Sequence, residues 1–349
     1  MTSGKQAIRV GVVGAGANTR EKHIPGLRAQ PGVEVVCVAN RSRASSEKVA
    51  AELGIPQVAA DWRALINDAG IDAVMIGTWP YLHCPVTLAA LAAGKHVLTE
   101  ARLAMNLAEA RQMHAAALAR PDLVTQVVPA PFTLGVDRTV QRLLREGFVG
   151  RLLSIEVRVA DGRFLDPAAP LNWRQDAELS GLNVMSLGIW YESLMRWVGE
   201  ASSVMAKGRT FVTQRVDGGG RLRAVRVPEH VVVLADMACG AQATFSISAV
   251  SGLLPSNEIV LCGSEGTLRF ANGHLYGARR GDAALQVVQI PAEEAGGWRV
   301  EEEFINAIRG LEPVTHTCFA DGVKYMAFTE AVALSMAEGR EFSVCTLRA

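Results

Sequence analysis

The residues whose types and spacing could do chemistry begin near the start of the chain. Gly14-Ala15-Gly16 follows a short apolar, β-branched run, Ile8–Val13, and precedes a stretch with helical spacing. Small residues at such a strand-to-helix turn let the backbone approach a pyrophosphate, and the helix start offers N–H groups and a positive dipole end. Ala17 and Asn18 continue the loop, and the third position of the G-x-G-x-x-G fingerprint is Thr19. A second buried-strand pattern, Val33–Ala39, ends at Asn40-Arg41-Ser42-Arg43. Sites for NAD usually carry an acidic residue there, which binds the ribose hydroxyls. Here that carboxylate is absent and two guanidinium groups are present. The arginine fork suits a 2′-phosphate because it bonds phosphate oxygens in pairs. The turn therefore favours NADP(H). NAD(H) stays open, because a solvated basic turn would accept either cofactor.

The elements that must position these residues alternate. Strand patterns at Ile8–Val13, Val33–Ala39, Ala73–Ile76, His96–Thr99 and Val124–Pro129 are separated by helical stretches, including Lys22–Gln30, Ser45–Leu53, Pro85–Ala93 and Leu107–Ala119. Such alternation predicts a doubly wound parallel sheet covered on both faces. After about residue 130 the rhythm changes. Helical stretches at Val136–Glu146 and Asn183–Val198 flank an alternating strand, Leu152–Val159, and strands then dominate from Ser203 to Ile290. Turns at 217–220, 263–266 and 279–282 predict hairpins in a mostly antiparallel sheet. Helices at Val300–Arg309 and Asp321–Glu338 close the chain. The expected division is residues 1–128, a nucleotide-binding α/β domain, and residues 129–349, an α+β domain that binds substrate.

Composition narrows the function classes. The 349 residues carry 35 basic and 35 acidic side chains, which argues against nucleic-acid binding through bulk positive charge. Six cysteines without a C-x-x-C pair read as reduced thiols and favour the cytosol. Seven scattered histidines, without H-E-x-x-H or H-x-H, give no metal-site spacing. Lys5 and Arg9 precede the apolar run Val10–Ala17, but that run is short and Gly-rich, unlike a signal peptide. The uncharged stretch 73–94 contains Pro80, Pro85 and His83 and reads as strand, loop and helix, not a membrane span. The expected partner is a small-molecule substrate.

Several stretches resemble the Gfo/Idh/MocA oxidoreductases: Gly11–Leu27, Val38–Gly54, Ile71–His83, Ala90–Glu100, Asn172–Gly199, Gly263–Phe270 and the closing helix. The resemblance implies a Rossmann domain followed by an α+β domain with a large open sheet, which in relatives often forms an oligomer interface. It implies nicotinamide-dependent chemistry on sugars, polyols and related alcohols. It places Gly14, Gly16, Ala17, Asn18, Asn40, Arg41, Ser42, Arg43, Thr78, Trp79, Glu100 and Arg174 along the cofactor.

The chain departs from the family where the chemistry is kept. A family Glu-Lys-Pro becomes Glu100-Ala101-Arg102, and the Asp, His and Asp of a second motif become Ser186, Trp190 and Ser193. Hydride transfer at a carbinol still needs a proton acceptor or donor. The remaining candidates are His83, Tyr191 and Glu192. Arg102 stands as a carboxylate clamp or oxyanion stabiliser, or as a partner in a salt bridge. His83 also reads as a structural or cofactor-loop contact, and Tyr191 and Glu192 as packing or surface positions. Trp190, with Trp173, would make an apolar cleft wall, and Asn183 could bond a substrate hydroxyl or carbonyl. Three functions fit these residues: an NAD(P)-dependent oxidoreductase with a non-standard acid/base set, an NAD(P)-binding lyase or glycoside-cleaving enzyme without net redox change, and a non-catalytic nucleotide-binding regulator.

Overall fold

The alternation in the first part of the chain builds one parallel sheet. The computed structural model describes residues 7–348, so Lys5 lies outside it. Strands β1 (Ile8–Val13), β2 (Val33–Ala39), β3 (Gln57–Val58), β4 (Ala73–Ile76), β5 (His96–Thr99) and β6 (Thr125–Val127) lie in the order β3-β2-β1-β4-β5-β6. Every pair is parallel. All four residues of β4 are buried, as a strand covered on both faces requires. The order reverses between β1 and β4, where doubly wound sheets open a ligand crevice at the carboxyl ends of their strands.

The helices between these strands start where polar caps stop the preceding loop. A π-helical turn, Thr19–His23, runs into α1 (Ile24–Arg28), so the first helix begins earlier than the expected Lys22. Ser42 Oγ accepts the Ser45 N–H at the start of α2 (Arg43–Leu53). Asp61 caps α3 (Trp62–Ile66) through the Ala64 N–H at 2.8 Å. Next come α4 (His83–Ala92) and α5 (Leu107–Leu118), the latter capped by Asn106.

The second part contains α6 (Asp137–Arg145), β7 (Leu152–Ala160), α7 (Ala177–Ser180), α8 (Leu187–Val198), β8 (Ala201–Arg209), β9 (Gln214–Val216), β10 (Leu222–Ala224), β11 (His230–Met237), β12 (Gln242–Ser248), β13 (Ser256–Gly263), β14 (Gly266–Ala271), β15 (His274–Arg279) and β16 (Gln286–Val287). After α9 (Val300–Ile308) and α10 (Phe319–Glu338), β17 (Phe342–Ser343) completes a nine-stranded sheet in the order β16-β15-β14-β13-β7-β12-β11-β8-β17. Only β7 and β12 pair in parallel. The turns at 217–220 and 263–266 join β9 to β10 and β13 to β14 as hairpins. Along β11, Val231, Val233 and Ala235 are buried while Val232 and Leu234 are exposed, so one sheet face is packed and the other open.

Helix α8 lies in the packed core of this part. Tyr191 stacks on Phe328 of α10 with ring centroids 3.7 Å apart. The helical pattern expected from Asn183 begins only at Leu187, because Met185 takes a left-handed backbone (φ 44°) that ends the preceding turn.

The chain divides into two compact units: residues up to Pro129 with Arg299–Val323, and Ala130–Trp298 with the residues from Lys324 on. The return of 299–323 to the first unit differs from the contiguous division expected from sequence. Its cause is pairing: Val127 and Thr317 exchange backbone hydrogen bonds at 3.0 and 3.2 Å. Gln126 also donates to Glu303 Oε2 (3.0 Å) and the His316 carbonyl (2.7 Å).

In the second unit a buried ionic network ties α6 to α8. Arg196 Nε meets Asp137 Oδ2 at 2.8 Å and its Nη1 meets Glu192 Oε1 at 3.1 Å, while Trp197 Nε1 donates to Asp137 Oδ1 at 2.6 Å. Removing one partner leaves Arg196 a buried charge short of its acceptor, which is the costly way to break such a pair. Asp137→Ala is therefore expected to lower unfolding free energy in urea by about 3 kcal/mol; a change within error would show that the network contributes nothing net.

Candidate functional site

The first unit holds a pocket of about 450 Å³ at the carboxyl ends of β1, β2 and β4, where the strand order reverses. Gly14, Ala15 and Gly16 form one wall, Asn40 and Arg41 a second, and Gly77, Thr78 and Trp79 a third. Glycine is required where the walls meet. Gly14 has φ +85°, and a Cβ on it would lie 2.8 Å from the Thr78 nitrogen. A Cβ on Gly77 would overlap Thr19 Oγ1 and the Gly14 carbonyl. Asn40 holds the loop from the side: its Oδ1 accepts the Ala15 N–H at 2.7 Å and its amide donates to the Ser45 carbonyl at 3.2 Å. This narrow, glycine-walled cradle with a basic residue at the end of β2 fits a dinucleotide.

The cofactor residues expected from sequence separate here. Gly14, Gly16, Asn40, Arg41, Thr78 and Trp79 line the pocket. Ala17 is exposed on the helix start. Ser42 is spent on capping α2, and Arg43 pairs with Glu47 along that helix at 2.7 Å, both largely exposed. Asp61, Trp62 and Tyr81 also line the pocket and escaped the sequence reading. Asp61 could have been found as the residue before a short helix; the aromatic pair had no spacing signal.

Glu100 lies outside the pocket wall and serves a different group. Its Oε1 accepts from the Asn18 amide and from His23 Nε2 at 3.0 Å, and its Oε2 accepts the Ala101 N–H at 3.1 Å. The other ring nitrogen of His23 meets Glu301 Oε1 at 2.6 Å. Burial lowers the His23 pKa, but hydrogen bonds and charge from the two carboxylates outweigh it and push the imidazole up to about 9. Burial would raise Glu100, yet His23, Asn18 and the Ala101 N–H hold it below the usual carboxylate range. His23 escaped the sequence reading because its partners lie 77 and 278 residues away.

Three of the proposed acid/base groups are packed inside. His83 is fully buried, with Nδ1 at 2.9 Å from the Arg102 carbonyl and Nε2 at 3.0 Å from the Thr78 carbonyl. Burial pushes its imidazole below the ordinary value, so it braces the Thr78 loop against residue 102. Tyr191 is fully buried and its hydroxyl accepts the Ala201 N–H at 2.9 Å. Glu192 accepts the Ala130 N–H and pairs with Arg196. The Arg102 side chain is also buried, in the first unit.

The second unit has its own pocket, about 510 Å³, and it holds two of the remaining candidates, Arg174 and Trp190. Ser186 and Trp190 line it, as do Asn172 and Arg174, the latter assigned to the cofactor on sequence grounds. Trp190 stacks on Phe132 with centroids 4.7 Å apart. The Trp173 ring lies beneath the Arg174 guanidinium at 4.2 Å. Asn183 is buried and donates to the Ser180 carbonyl at 2.6 Å, closing a turn. Two carboxylates on the wall were missed: Asp161, which pairs with Arg163, and Glu229. Glu229 is fully engaged by Arg215 at 2.9 Å and by the Phe211 and Val212 N–H groups.

Comparison with known proteins meets this geometry in both units. A family profile described as an oxidoreductase family with an NAD-binding Rossmann fold matches residues 8–127, and the Gfo/Idh/MocA C-terminal domain matches residues 138–269. The chain belongs to the Gfo/Idh/MocA oxidoreductase family. A 1,5-anhydro-D-fructose reductase from Ensifer adhaerens is 28% identical over 349 residues, covering 97% of this chain and 99% of the reductase. A levoglucosan dehydrogenase from Pseudarthrobacter phenanthrenivorans is 29% identical over 195 residues, 55% of this chain and 49% of that enzyme. The structure of a levoglucosan dehydrogenase in complex with NADH and L-sorbose superposes with a TM-score of 0.84 at 24% identity, covering 98% of this chain and 100% of that one. Among the described residues no helix is long and apolar enough to cross a membrane.

The cradle is tested at its tightest glycine. Gly14→Ala, which places a methyl against Thr78 at positive φ, is expected to weaken NADH and NADPH binding at least about tenfold and to cost about 1–3 kcal/mol of stability. Unchanged cofactor affinity would show that the loop does not form the binding wall.

Proposed function

We propose that the chain is an NAD(P)-dependent oxidoreductase that moves hydride between nicotinamide and a sugar, polyol or related alcohol or carbonyl compound, prefers NADP(H), and uses a non-standard acid/base set. The observation that carries this reading is the glycine-walled cradle in the first unit of a chain with family matches in both units. The names of the relatives, an anhydrofructose reductase and a levoglucosan dehydrogenase, support a cyclic polyhydroxy substrate.

When bound, the cofactor supplies or takes up the hydride. The chain's own residues do the rest. Gly14 to Gly16 bring backbone against the pyrophosphate, and Asn40 fixes that loop through the Ala15 N–H. Arg41 lines the pocket, which supports the reading of its guanidinium as a 2′-phosphate contact. Arg43 is diverted to Glu47. In the second unit Phe132, stacked on the buried Trp190, gives the substrate an apolar ring surface, and Asn172, Arg174 and Gln175 offer polar contacts at its edge. Asp161 is the wall carboxylate outside the buried Glu229–Arg215 pair, and we assign it the proton exchange with the substrate oxygen.

A panel of cyclic sugars, anhydrosugars and polyols, followed by the absorbance of reduced nicotinamide, is expected to give substrate-dependent turnover. Turnover without net cofactor change would favour a lyase or glycoside-cleaving enzyme, and binding without any turnover a regulator. Asp161→Asn is expected to lower kcat about 100-fold while leaving cofactor affinity intact; an unchanged kcat would remove Asp161 from the proton-transfer role. Arg41→Ala should weaken NADPH binding about tenfold or more and leave NADH binding nearly unchanged, and equal losses for both would remove the phosphate contact.

A further inference from the structure

The arrangement around His23 is more than packing. His23 ends the π-helical turn that follows the glycine loop, and its side chain is fully buried. Nδ1 faces Glu301 Oε1 and Nε2 faces Glu100 Oε1. An ionised carboxylate accepts and does not donate, so both ring nitrogens carry protons when both carboxylate bonds form, with the Asn18 amide nitrogen 3.2 Å from Nε2 as a further neighbour of the ring. A second observation concerns the seat of Glu301. Gly26, one turn further on, has no Cβ, and one added there would lie 2.7 Å from Glu301 Oε2. The helix thus carries a bare face against which the Glu301 carboxylate lies flat. Through Glu100 the same group also holds the amide of Asn18, directly after the loop.

We propose that His23, as an imidazolium held between Glu100 and Glu301, is a positioning residue for the cofactor: it locks the helix that carries the glycine loop onto the end of β5 and onto α9, and losing its proton loosens the cradle. The proposal rests on the nucleotide-binding role of the loop. The titratable groups facing the ring are Glu100 at the end of β5 and Glu301 on α9. Because His23 is raised from 6.5 to about 9 on folding, its contribution is fully present below about pH 6.5 and disappears as pH rises through about 9. Glu100, which is depressed, contributes above its unfolded value and is lost in acid. Between these limits the His23–Glu100 pair is fully charged.

The test is cofactor binding by the whole apo chain, read by nicotinamide fluorescence with NADH and NADPH as probes, from about pH 7 to about pH 10. Wild type should hold a constant Kd to about pH 8 and bind about tenfold more weakly at pH 10, one unit past the His23 value. His23→Gln, checked for folding by circular dichroism, should bind about tenfold more weakly at neutral pH and show no break near pH 9. Glu301→Gln, which leaves one carboxylate, should move the break to lower pH and decides the matter if His23→Gln does not fold. A flat wild-type profile, a break that survives in His23→Gln, or a break unmoved in Glu301→Gln would overturn the role of His23. No binding by wild type at any pH would overturn the nucleotide-binding reading together with it.

Discussion

The nucleotide half of this protein depends on how closely two backbone segments can approach. The carboxyl end of β1 and the carboxyl end of β4 come together at Gly14 and Gly77, and neither position has room for a methyl group. Packing there sets the strand ends at a fixed separation, so the loop between β1 and the first helix has one course. Asn40 then fixes that course from the β2 side, using a side-chain oxygen where a dinucleotide site for NAD would present a carboxylate. Asn40 is consumed by structure, and Arg41 beside it is left on the pocket wall.

The second half uses the same economy on a helix. One helical face can meet only one environment. On α8, Trp190 faces the pocket, while Tyr191, Glu192 and Trp197 are taken by Phe328, Arg196 and Asp137. Tyr191, Glu192, Arg196 and Trp197 close hydrogen bonds in the core, and proton chemistry in this pocket has to come from its other walls. This is why the pocket reads as an aromatic floor with a polar edge supplied by β7 and the loop after it.

Legibility in the sequence followed distance along the chain. The alternation of strands and helices in the first sheet, the glycine loop and two of the hairpin turns rest on local patterns, and those patterns were present in the residues. Features that join remote segments were not. His23 and Glu301 are 278 residues apart, and no spacing rule connects them. Arg41 and Arg43 look equivalent in sequence, and only the exposed Glu47 one turn later on α2 distinguishes them. Tyr191 and Glu192 carry titratable groups but lie on the inward side of α8, a phase that Met185 sets by starting the helix four residues later than its pattern suggests. The polar group of Asn183 closes a turn for a similar reason: local backbone demand precedes ligand demand.

The return of residues 299–323 to the first unit has a consequence for how the protein is made. The Rossmann sheet is encoded in the first 129 residues, yet the carboxylate that completes the charge clamp on its first helix, and the strand-like segment that pairs with Val127, are translated some 170 residues later. On the ribosome the amino-terminal unit therefore emerges unfinished and has to wait for nearly the whole chain. Its maturation is tied to the synthesis of the other unit, so a message cut short after the sheet would yield a nucleotide fold with a histidine lacking half of its counter-charge.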